Sequence, residues 1–99
     1  MNIIGLGNCG CNIAQEFEKY SQYEVFCIDT EVRQSKNFFL VHEEDHPEEY
    51  EKGCPDFAGF FDCDGETIFI VAGAGHISAL SLRILEKIKH CNVTVLYIR

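Results

Sequence analysis

Four apolar runs divide the 99-residue chain: NIIGL at 2–6, YEVFCID at 23–29, ETIFIVAG at 66–73 and NVTVLYI at 92–98. Such runs, apolar throughout, are strands buried on both faces. Between them lie stretches with helical spacing. One follows the glycines after residue 6 and carries Ile13, Ala14 and Phe17. Another spans Ser78 to Lys89 and carries Leu82, Leu85 and Ile88 on one face. Strands alternating with helices predict one parallel sheet covered on both sides. NFFLV at 37–41 is a weaker, third strand. The prolines at Pro47 and Pro55 open short helices in PEEYEK and PDFAGFF.

The sequence GLGNCGCN at 5–12 joins the first strand to the first helix. Gly5, Gly7 and Gly10 fit the dinucleotide spacing G-x-G-x-x-G, and Ala14 would pack the helix behind them. Asp29 ends the second strand about twenty residues on, where a carboxylate takes ribose hydroxyls in NAD sites. In an open parallel sheet, ligands bind at the carboxyl ends of the strands, near the point where strand order reverses. Three loops converge there: residues 5–12, Asp29-Thr30-Glu31, and AGAGHISA at 72–79. Two of them are glycine-rich and open helices, whose free N–H groups and dipole favour phosphate. Neither is followed by Lys-Ser or Lys-Thr, so the P-loop mechanism is not expected.

Charge and cysteine narrow the class. The net charge of −8 argues against nucleic acid or an anionic membrane as partner. Residues 43–66 carry ten of the sixteen carboxylates against a single lysine, Lys52, and read as a solvated loop region. The opening NIIGLG reads as a strand, not a secretory leader. Cys27 and Cys91 sit in or beside apolar strands, so the six cysteines read as reduced, in a cytoplasmic protein. Cys9-x-Cys11 and four histidines are present, but with no C-x-x-C pair no metal site is expected. Cys9 or Cys11 could act as a nucleophile at a helix N-terminus, but no histidine is paired with either.

GNCGCNI at 7–13 resembles the first nucleotide loop of the tubulin/FtsZ family, with glycine, an amide residue, cysteine and glycine in that order. Asn12 matches the asparagine that closes the FtsZ version. FCIDTE at 26–31 is similar to the Val-Asp-Leu-Glu and Val-Asn-Thr-Asp segments of that family. AGAGHISALSLRILEKIK resembles a shortened form of its glycine-threonine phosphate loop and following helix. The resemblance covers nearly the whole chain and corresponds to the N-terminal half of the family's nucleotide domain.

The resemblance implies GTP or GDP with magnesium as ligand. Gly7, Asn8, Cys9 and Gly10 would line the diphosphate, and Asn12 would sit near the guanosine. Asp29, Thr30 and Glu31 would lie beside the magnesium and phosphates, and Gly73, Gly75, His76 and Ser78 around the outer phosphates. Ile77 and Ala79 stand where the family has glycines, which reduces backbone N–H access. Family hydrolysis draws acidic residues from a second domain of a neighbouring subunit, so no catalytic base is assigned here. The terminal strand reads as the end of an N-terminal piece of a longer protein, and self-association into filaments would run through the missing part.

The expectation is therefore an α/β, Rossmann-like parallel sheet with helices on both faces, in the order 3-2-1-4-5. Its function would be guanine-nucleotide binding that governs polymer or complex assembly. The alternatives are an NAD-binding domain of a regulator or dehydrogenase, and a structural module that has lost its nucleotide.

Overall fold

The computed structural model describes residues 1–35, 37–42, 46, 65–72, 76–89 and 91–98. Five strands run β1 (Asn2–Leu6), β2 (Glu24–Asp29), β3 (Asn37–Leu40), β4 (Glu66–Ala72) and β5 (Asn92–Ile98). They pair in parallel in the order β3-β2-β1-β4-β5. This is the topology expected from the sequence. Helix α1 (Gly7–Gln15) follows β1 without a linker and tightens into a 3-10 turn, Glu16–Lys19. A second 3-10 turn, His76–Leu80, leads into α2 (Ser81–Lys87). The expected helices at PEEYEK and PDFAGFF lie outside the described residues.

Alternation along each strand divides the core in two. Ile3, Val25, Cys27 and Ile70 face α1 and meet Cys11 and Ala14. Ile4, Leu6, Phe26, Ile28, Phe69 and Val71 point the other way and meet Leu80, Ile84 and Ile88. The central strands β2, β1 and β4 are thus buried on both faces because they send consecutive apolar side chains to opposite helices, whereas β5, expected to be buried on both faces, is largely exposed at the sheet edge. Each fully buried side chain of this size contributes about 1.5–3 kcal/mol. The second helix departs from expectation in one respect: Leu82 is 64% exposed, and Ile84 is fully buried in its place. Leu80, Ile84 and Ile88 follow the i, i+4, i+8 spacing of one helical face, and Leu82 falls on the opposite side from them.

Strand β5 forms one edge of the sheet, with Val95, Leu96 and Tyr97 about half exposed or more. No helix among the described residues is long and apolar enough to cross a membrane.

Candidate functional site

Strand order turns back between β1 and β4. The chain builds β2 and β3 on one side of β1, then crosses to build β4 and β5 on the other. The crevice beyond the carboxyl ends of β1 and β4 is where open parallel sheets take ligands. Helix α1 starts in that crevice.

Its glycines have separate steric reasons. Gly7, the first helical residue, has φ +78°, which glycine adopts freely and an L side chain does not. A Cβ on Gly10 would lie 2.6 Å from the Ile70 carbonyl oxygen, and one on Gly5 would lie 2.6 Å from the Gly10 carbonyl oxygen. Gly5 and Gly10 therefore let α1 lie directly on β1 and β4. The cap position is Leu6, which offers no side-chain hydrogen bond, and the first turn holds no acidic residue. The first-turn N–H groups and the positive end of the helix dipole thus face the crevice with no side-chain cap.

Arg33, in the segment between β2 and β3, reaches across to α1. One terminal nitrogen, Nη2, donates to Asp29 Oδ2 at 2.7 Å and to Asn8 Oδ1 at 2.9 Å. The other, Nη1, donates to Gln15 Oε1 at 2.7 Å and Asn12 Oδ1 at 3.0 Å. Its Nε is buried and has no hydrogen-bond partner among the described residues. The second oxygen of Asp29, Oδ1, accepts the Thr30 backbone N–H at 2.7 Å. Asn8, Asn12 and Gln15 are spaced four and three residues apart, so they form one stripe along the helix. That polar stripe was the signal in the sequence for a partner side chain. Arg33 itself was not foreseen, because nothing in its local sequence marks it.

Of the expected site residues, the structure brings Asn8, Asn12, Asp29 and Thr30 together around Arg33, beside Gly7 and Gly10. Cys9 is exposed in the first turn of α1. Glu31 is exposed and makes no hydrogen bond or ion pair among the described residues. Gly73 and Gly75 lie outside the described residues, His76 opens the 3-10 turn, and Ser78 is half-buried within it. Ile77 is a core residue, and its Cγ2 lies 2.9 Å from where a Gly7 Cβ would stand. It pins the start of that turn against the start of α1.

Cys11 is a core residue as well. Its thiol faces β1 and β2 and lies 3.4 Å from the Gly5 carbonyl oxygen and 3.3 Å from that of Ile28. A hydrogen bond to Cys27, then burial, holds the Cys11 thiol far above the ordinary thiol range. A thiol kept protonated in this way is a poor nucleophile.

No protein-family model, curated protein or solved structure matches the chain.

Proposed function

We propose that the chain binds a guanine nucleotide, with its diphosphate against the first turn of α1 and its base toward Asn12, and that the bound nucleotide controls assembly with further copies. The observation that carries this reading is the uncapped start of α1 at the reversal of strand order, with the Arg33 guanidinium held beside it. Helix dipole and arginine together give a strongly acidic chain a local place for a polyanion. The choice of guanine rests on the resemblance of GNCGCNI and FCIDTE to the tubulin/FtsZ loops.

Asp29 argues against NAD. The dinucleotide fingerprint needs this carboxylate open to ribose hydroxyls. Here both oxygens already accept hydrogen bonds, and the side chain is 6% exposed. A second reading, a structural module without nucleotide, draws on Ile77, whose side chain fills a place held by glycine in the family's phosphate loop.

Thermal unfolding with GTP, GDP, ATP and NAD, each with magnesium, tests the three readings. A ligand that binds only the folded chain raises the melting temperature with its concentration. A rise with GTP or GDP alone supports the proposal, and a rise with NAD alone sinks it. No rise with any of the four favours the structural module.

A further inference from the structure

The expected magnesium ion does not suit the carboxylate that would hold it. Magnesium demands near-octahedral oxygen ligation and, at nucleotide sites, takes one or two carboxylates along with the phosphates. The carboxylate at the end of β2 is Asp29, and it is already neutralised at 2.7 Å by Arg33 and held by the Thr30 N–H. Glu31, the other acid of that loop, is exposed, and no side chain among the described residues positions it. The guanidinium that stands at this point of the site, that of Arg33, is paired with Asp29.

We infer that Arg33 is the cation that meets the nucleotide's diphosphate, in the role the resemblance gives to magnesium, so that nucleotide binding depends on Arg33 and is independent of divalent metal. The inference rests on the nucleotide reading above. The four hydrogen bonds of Arg33 fall into two kinds. Those to Asp29 and Gln15 are the shorter pair, 2.7 Å each, and are part-buried. Those to Asn8 and Asn12, at 2.9 and 3.0 Å, are longer and exposed, and so open to exchange with a ligand. A phosphate oxygen is a stronger acceptor for a guanidinium than an amide oxygen. It displaces Asn8 and Asn12 while Asp29 and Gln15 keep the arginine in place. Asn8 lies in the first turn of α1, so a phosphate taking its place also meets the free N–H groups of the helix. Asp29 then acts as a positioning residue for Arg33.

The test is calorimetric titration of GDP into the 99-residue chain, once in magnesium and once in EDTA, with the native sequence and the double variant Asp29→Asn/Arg33→Met. The double variant removes both charges together, so neither is left buried alone, and its melting curve checks that it folds. The native chain is expected to bind GDP equally in both buffers. The double variant is expected to lose roughly ten- to hundredfold in affinity, the worth of a charge-assisted hydrogen bond to phosphate. Native binding that collapses in EDTA, or a folded double variant that binds as the native chain does, overturns the inference and leaves the nucleotide reading standing. Absence of GDP binding by the native chain in both buffers overturns the nucleotide reading, and this inference with it.

Discussion

Arg33 Nη2 and Asp29 Oδ2 meet at 2.7 Å with side chains only 14% and 6% exposed, joining the segment after β2 to the strand's own end. Two charges withdrawn from water this far are secure only together. Asp29→Asn alone leaves a buried guanidinium without its counter-ion and should lower stability by about 3–5 kcal/mol. Asp29→Asn/Arg33→Met should cost less than the sum of the two single changes. Urea unfolding of the three variants measures the difference, and strict additivity would mean that the pair is not coupled.

The contact between α1 and the sheet is set by backbone, not by side chains. A Cβ at Gly10 meets the Ile70 carbonyl oxygen, which cannot move without disturbing β4. Gly10→Ala should therefore cost about 1–3 kcal/mol as an overpacking change. At Gly65 a Cβ meets nothing within 4 Å, and only the φ of +82° resists substitution. Gly65→Ala should cost about 1–2 kcal/mol from backbone strain alone and leave the α1 amides unshifted in NMR spectra. Gly10→Ala should shift them.

The phase of α2 predicts an unequal pair. Ile84 is fully buried, whereas Leu82 is 64% exposed. Ile84→Ala should cost about 2–5 kcal/mol, and Leu82→Ala should stay within about 0.5 kcal/mol of the parent. Equal losses in denaturant midpoint would put the helix in the other phase.

The thiols should respond to pH according to burial. Iodoacetamide reacts with thiolate, and Cys11 keeps its proton because of its hydrogen bond to Cys27 and its burial. A group whose folded pKa is raised favours the folded chain below the unfolded pKa, and that contribution fades as pH climbs above the ordinary thiol value. In the native chain Cys9, which is exposed, should be labelled, while Cys11 stays unlabelled through pH 9 and reacts only after unfolding. Fragment mass spectrometry separates the two sites. Labelling of Cys11 at the rate of Cys9 in folded protein would contradict its placement.

Much of the fold was legible because the first two strands and β4 are apolar on both faces, and such runs fit only a doubly covered parallel sheet. The inward face of α2 is misjudged when the stripe is started at Leu82, because the residues four apart that share a face are Leu80, Ile84 and Ile88. Cys11 was read as a residue of the helix N-terminus, but Gly10 brings α1 so close to the sheet that the next residue is sealed beneath it. Asp29 could be assigned to the site from its position after β2. Its partner could not, because Arg33 finds Asn8, Asn12 and Gln15 only once β2 and α1 lie side by side.

The most direct measurement is the change in backbone amide shifts of the 15N-labelled chain as GDP is added. Nucleotide binding at the start of α1 should shift Gly7, Asn8, Cys9 and Gly10 most, with Asn12 and Asp29 to Arg33 next and the β5 amides unmoved. Shifts absent from this set at saturating GDP, or centred elsewhere on the sheet, would contradict the proposed site.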